Sequence, residues 1–277
     1  MKASVVSLEG RKLSEIELPR QFNADVDETL IRRAVLAIQS ASIQTHYPFA
    51  FAGRNNTAIY VGSRGKPTMH RTINVGHARK PRMKNRRGLL SGQVAGIPGV
   101  VGGPKAHPPK FSKVWEEKIN AKEKRKATEA AIAATAKSEL VKSRGHEFAA
   151  NVAFPIVIDS GFENLQKTKD VVAAFDAIGI SQDIERAARK KKIRAGKGKK
   201  RGRQYKRRKS ILIVAADSAK VFKSARNLEG VDIVRLKDLN ANVLAPGALP
   251  GRLTVWTEKA ISEMSGANSK KKETGRK

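Results

Sequence analysis

The sequence predicts an α/β protein: a single globular three-layer domain with a mostly parallel central sheet, extended by a long non-globular basic loop and a second basic extension. Three observations carry that prediction. Apolar runs of strand length alternate with amphipathic helical stretches, the pattern of a sheet covered on both faces. Between residues 62 and 110, nine glycines and six prolines interrupt the chain so often that neither a helical nor a strand period survives. A third stretch, 186 to 209, is almost wholly polar and basic and contains no acid.

The elements follow in order. ASVVSL at 3–8 is rich in β-formers, and the turn pair Glu9-Gly10 leads to a second strand over 11–18. Asp25 with Glu28 has capping-box spacing for a helix through 43, whose Ile31, Ala34, Val35 and Ile38 share one face. After the loop, Ser112 is the expected N-cap of a long Ala-rich helix ending near Gly145, with Trp115, Ile119, Ala127, Ala130, Ala131 and Ala134 inward. Its other face carries Lys122, Lys124, Arg125 and Lys126. PIVID at 155–159, a helix through Val171, Val172, Phe175 and Ile178, and SILIVA at 210–215 continue the alternation. VDIVRL at 231–236 and RLTVWT at 252–257 add two strands, with helices expected near 218–226 and 257–264.

This division makes the globular domain discontinuous, over 1–47 and 110–265, with the basic segment 186–209 within it. Residues 48–109 form the extended loop, and 266–277 a mobile basic tail.

Charge narrows the partner. The chain of 277 residues has 56 Lys and Arg against 25 Asp and Glu, a formal net charge of +31. A polyanion is the partner such a balance demands. After Glu28 the next acid is Glu116, so the cations between them have no local counterion. In the loop these include Arg54, Arg64, Lys66, Arg71, Arg79, Lys80, Arg82, Lys84, Arg86, Arg87 and Lys105, with His107 beside them. The second segment supplies Lys190, Lys191, Lys192, Arg194, Lys197, Lys199, Lys200, Arg201, Arg203, Lys206, Arg207 and Arg208. Arginine offers forked donors matched to phosphate oxygens, and glycine lets the backbone approach closely, so both sets are read as RNA-binding. Ordering on RNA is expected of both segments, since self-repulsion keeps such chains open. Residues 62–110 contain no Phe, Tyr or Trp, which points to backbone and shape recognition of folded RNA rather than base stacking.

A membrane surface is the other polyanion, but no window reaches the roughly 18 apolar residues of a span. The neutral run GLLSGQVAGIPGVVGG at 88–103 has Gly at four-residue spacing, yet Pro98 and its shortness exclude a membrane helix. MKASVVSLEGRKL lacks a signal core, so the expected location is cytosolic.

The sequence carries no catalytic pattern. With no cysteine, thiolate nucleophiles and Cys-based zinc sites are excluded. Gly65-Lys66 is followed by Pro67, which breaks the phosphate-cradle pattern, and no GxGxxG follows a strand. No acid occurs across residues 29 to 115 to orient His46, His70, His77 or His107, and these four and His146 are read as RNA contacts or turn residues. Asp159 and Asp217 follow strands, where they are expected to cap helices. No catalytic residue, metal, cofactor or small-molecule substrate is expected. The alternative is an RNA-modifying enzyme that uses the α/β sheet for a nucleotide cofactor.

Three long segments complete the reading. EKINAKEKRKATEAAIAATA (117–136), KKIRAGKGKKRGRQYKRRKSILIV (191–214) and LNANVLAPGALPGRLTVWTEKAI (239–261) resemble large-subunit ribosomal protein L-four in its archaeal form, over essentially the whole chain. The loop sequence at 79–109 also resembles the extended loop of that family. The resemblance implies a structural, non-enzymatic constituent of the large subunit, with ribosomal RNA and neighbouring ribosomal proteins as partners. It implies that the loop penetrates ribosomal RNA to line the nascent-peptide exit tunnel near its constriction. The tunnel-facing tip would then comprise Arg82, Met83, Lys84, Asn85, Arg86, Arg87, Gly88, Leu89, Leu90, Ser91 and Gly92, in contact with the nascent peptide. The KIRAGKGKKRGRQY segment, and the absence of a long C-terminal extension, resemble archaeal members.

Overall fold

The first strand, β1 (Lys2–Val6), turns Ala3 and Val5 inward and pairs antiparallel with β2 (Lys12–Glu17) through the expected Glu9-Gly10 turn. Gly10 takes φ +82°, and a Cβ there would lie 2.5 Å from the Ala177 carbonyl oxygen, so this turn requires glycine. β2 is an exposed, charged edge strand, which blocks further pairing. The computed structural model describes residues 1–52, 55, 80–83, 93–217 and 219–274. It separates into two units, Met1–Ser42 with Glu116–Lys277, and Ile43–Trp115.

In the larger unit, α1 spans Glu28–Ala41. Its cap is Asp27 rather than Asp25: the Asp27 carboxylate accepts from the Thr29 and Leu30 amides at 2.9 and 3.1 Å. Ile31, Ala34 and Val35 are buried as the period requires. The Ala-rich helix α2 starts at Ala121, not near Ser112, and ends at Thr135. The preceding backbone is committed elsewhere, because the Glu117 amide donates to the Ser40 hydroxyl at 2.9 Å. At the other end, the buried Thr135 hydroxyl donates to the Ile132 carbonyl, and a separate α3 (Ser138–Ser143) follows. The expected single helix is therefore two.

β3 (Ile156–Ile158), α4 (Thr168–Ile178) and α5 (Ser181–Arg189) come next. The basic segment carries a short antiparallel hairpin, β4 (Lys192–Ile193) with β5 (Tyr205–Lys206). β6 (Leu212–Ala215), α6 (Val221–Ala225), β7 (Asp232–Arg235), α7 (Ala241–Leu244), β8 (Thr254–Thr257) and α8 (Glu258–Thr274) complete the chain. The sheet order is β2-β1-β3-β8-β6-β7, and every pairing except β1 with β2 is parallel.

Alternation along the strands divides the core. Val5, Val157, Leu212, Val214 and Trp256 face α1, α2, α7 and α8. Ile156, Ile158, Ile213, Ala215 and Val255 face α4 and α6. This is the three-layer α/β arrangement the strand–helix alternation predicts, and the continuous burial of β6 and β8 marks central parallel strands.

Candidate nucleic-acid interface

The twelve cations expected to bind RNA between 190 and 208 are all exposed. Local sequence places them so: Gly196 and Gly202 adopt φ +79° and +74°, which lets a 3-10 turn over Lys197–Arg201 cap the hairpin. In the ladder Lys192 stands directly opposite Lys206. Like charges in that position are destabilising, and an anion between them removes the penalty. Among the described residues, Arg207 is the one member of the twelve that pairs with a carboxylate, Glu229, at 3.5 Å. Lys191 sits over the half-exposed Tyr205 ring at 4.8 Å. The segment thus has a defined backbone of its own, where the sequence suggested an open chain before binding.

What anchors the hairpin was not anticipated. Arg186, which opens the basic run in the sequence, is a buried structural residue: its Nε donates to Asp183 Oδ1 at 2.7 Å and its terminal nitrogen to the Lys209 carbonyl at 3.0 Å. Asp183, fully buried at the start of α5, also accepts from the Ser210 hydroxyl at 2.8 Å and the Glu147 amide at 3.1 Å. His146 Nδ1 lies 3.0 Å from Asp183 Oδ2. The tautomer with hydrogen on Nδ1 satisfies that carboxylate, so the imidazole is a core donor rather than an RNA contact. The returning leg of the arm is thus tied back to α5 through Arg186 and Asp183. Beyond it, Gly230 at φ +73° approaches so closely that a Cβ would lie 2.4 Å from the Arg208 carbonyl oxygen.

Burial would raise the Asp183 carboxyl, but hydrogen bonds from His146, Arg186 and Ser210 outweigh it and hold it well below the usual carboxylate range. Burial, with the nearby charges of Arg186 and Arg144, lowers the His146 imidazole despite the raising effect of Asp183. The native state therefore binds that proton less readily than the unfolded chain, where histidine titrates near 6.5. Stability from His146 is whole above about pH 6.5 and declines as pH falls below it, and the Asp183 contribution is lost below about pH 4. The melting temperature should fall from about pH 6.5 downward more steeply in the natural chain than in His146→Gln. Parallel curves over that window would show that another group titrates.

Other cations turn inward. Arg252 is fully buried, donating to the Ser210 and Val243 carbonyls at 3.0 and 2.9 Å and to Asp232 at 2.6 Å. Asp232 also takes Lys209 at 2.8 Å. At the carboxyl ends of the strands, Asp159 does cap, accepting from the Gly161 amide at 3.1 Å. Asp217 does not; it pairs with Lys237. The buried carboxylate there is Glu163, which accepts from the Ala216 amide at 3.0 Å and the Thr257 hydroxyl at 2.6 Å. Glu163 had no sequence signal, since its partners lie 53 and 94 positions away. An open cleft of about 590 Å³ beside Asp217 is lined by Lys220, Lys223, Phe222 and Arg235. Among the described residues no His, Asp or Glu cluster is arranged to hold a metal ion, and no helix is long and apolar enough to cross a membrane.

In the smaller unit, Arg82 and Val94 form a β-bridge, with the Met83 amide donating to the Gln93 carbonyl at 3.0 Å. A minimal ladder therefore exists where none was expected. Lys80 Nζ donates to the Gly99 carbonyl at 2.9 Å, while Lys105 and His107 are exposed. Arg54, Arg64, Lys66, Arg71, Arg79, Lys84, Arg86 and Arg87, and with them the tip residues Asn85, Gly88, Leu89, Leu90, Ser91 and Gly92, lie outside the described residues.

A family model described as the ribosomal protein L4/L1 family matches residues 16–267. The large ribosomal subunit protein uL4 of Methanospirillum hungatei is 46% identical over 266 residues, covering 96% of this chain and 99% of its own length. The uL4 proteins of Archaeoglobus fulgidus and Halobacterium salinarum are 45% and 43% identical, covering 94% and 96% of this chain and 97% and 99% of theirs.

Proposed function

Since the chain belongs to the ribosomal protein L4/L1 family, of archaeal type, we propose that it is a structural constituent of the large ribosomal subunit, in the cytoplasm, binding and organising ribosomal RNA. It is an architectural protein and not an enzyme. Neighbouring large-subunit proteins are its other partners. The observation that carries the reading is the exposed hairpin of 190–208, cationic on both legs and with a single acid pairing to it. If about ten phosphates are neutralised, affinity for deproteinised large-subunit RNA falls with salt at a log–log slope near −9. Filter binding over a salt series checks this, and an affinity indifferent to salt would sink it.

The finer reading concerns the loop. Residues 48–109 act as a basic stalk through RNA, with Arg82 to Gly92 at the exit tunnel, in contact with the nascent peptide. It is supported by the uncharged run after Gly88, unsuited to phosphate, between basic flanks. The domain division supports it too, because no described residue from 70 to 105 belongs to either core cluster. Deleting 70–105 should leave the circular dichroism of the body intact. In ribosomes carrying that deletion, a cross-linker on a stalled nascent chain should no longer reach this protein. An unfolded deletion variant would contradict the division, and a persisting cross-link the tunnel role.

A further inference from the structure

At the root of the loop the described residues form an aromatic groove. Residues 47–52 and 106–111, far apart in sequence, converge around a cavity of about 340 Å³ lined by Tyr47, Phe49, His107, Pro109, Lys110 and Phe111. Tyr47, Phe49, Phe51 and Phe111 are 57, 63, 59 and 73% exposed, although burial of such rings is favourable. Their pairings are edge to face: Tyr47 with Phe111 at 6.1 Å and 62°, Phe49 with Phe51 at 5.6 Å and 61°. That arrangement leaves ring faces uncovered. No acid occurs from 29 to 115, while Lys105, Lys110 and Lys113 flank the groove in sequence.

We propose that this groove is a stacking site for an unpaired RNA nucleobase, whose flanking phosphates are met by Lys110 and Lys113. An aromatic groove with Lys110 in its wall, Lys113 nearby in sequence and no acid from 29 to 115 fits a ligand that is itself a flat ring joined to negative charge. Single-stranded RNA has that chemistry at every nucleotide. An apolar protein segment would fill the groove but leave the cations without counterions. The site rests on the ribosomal-RNA reading and adds to it a contact with a base rather than with the backbone. It was hidden in the sequence because 62–110 lacks aromatics, whereas the rings lie on either side of that segment.

The test uses the full chain and deproteinised, refolded large-subunit RNA. The double variant Phe49→Leu/Phe111→Leu keeps apolar bulk at exposed positions and removes the rings. Its affinity should fall at least about fivefold with the salt slope unchanged, because a stack is not an ionic contact. Lys110→Gln should instead flatten the slope by about one. Ultraviolet cross-linking followed by mass spectrometry should place an RNA adduct on Tyr47, Phe49, Phe51 or Phe111. If the natural chain binds and the leucine variant binds equally well, with no adduct on these rings, the groove belongs to a protein neighbour and the proposal is overturned while RNA binding stands. If the natural chain itself does not bind the RNA, both readings fail.

Discussion

Asp183→Ala should lower the stability of the free chain by about 3–5 kcal/mol, the cost of leaving a buried charge without its partner. The reason is the number of groups that converge on one carboxylate. Arg186 would keep its guanidinium in a site where its side chain is 8% exposed, and the Ser210 hydroxyl, the His146 ring and the Glu147 amide would each lose an acceptor. Urea titration followed by circular dichroism measures the loss, and a change under about 1 kcal/mol would refute the anchoring role. The double variant Asp183→Ala/Arg186→Met should recover much of it, since replacing both members of a buried pair by apolar groups is far milder than removing one. Asp183→Ala should also weaken RNA binding in chains that remain folded, because Arg186, through the Lys209 carbonyl, and Ser210, through Asp183, hold the returning leg of the basic hairpin to α5.

Replacing Lys197, Lys199, Lys200, Arg201 and Arg203 together by Gln should cut the salt dependence of RNA binding by roughly four to five in log–log slope. Between about 50 and 200 mM salt, that amounts to two or three decades less loss of affinity than in the natural chain, starting from much weaker binding. The fold should be untouched, because all five are exposed and none belongs to a core cluster. An unchanged slope in the fivefold variant would move the RNA interface away from this hairpin. The two variants separate two ways of losing RNA: one removes the charges, and the other releases the scaffold that presents them. In the second, the slope per bound molecule should persist while affinity falls.

Local patterns were legible because their causes are local. The buried face of α1 follows from 3.6-residue spacing, and the two-sided burial of β6 from its unbroken apolar run. Helix starts were less legible. Asp25 and Asp27 are equally good caps on paper, and the choice of Asp27 depends on which carboxylate reaches the Thr29 and Leu30 amides. The Ser112 start failed because a serine 77 positions away, Ser40, claims the Glu117 amide. Arg186 and Arg252 look in sequence like any other basic residue of this chain. Only their distance from Asp183 and Asp232 shows that they are interior.

By itself, then, the sequence determined the fold class, the two basic extensions and the demand for a polyanion, all of which follow from hydrophobic period and net charge summed over neighbours in the chain. The tertiary structure alone decided which charges are exposed and which hold the scaffold, and it alone brought Tyr47 beside Phe111. Arg252 meets Asp232 across 20 positions, Ser210 meets Asp183 across 27 and Thr257 meets Glu163 across 94, and no local period encodes which ones meet.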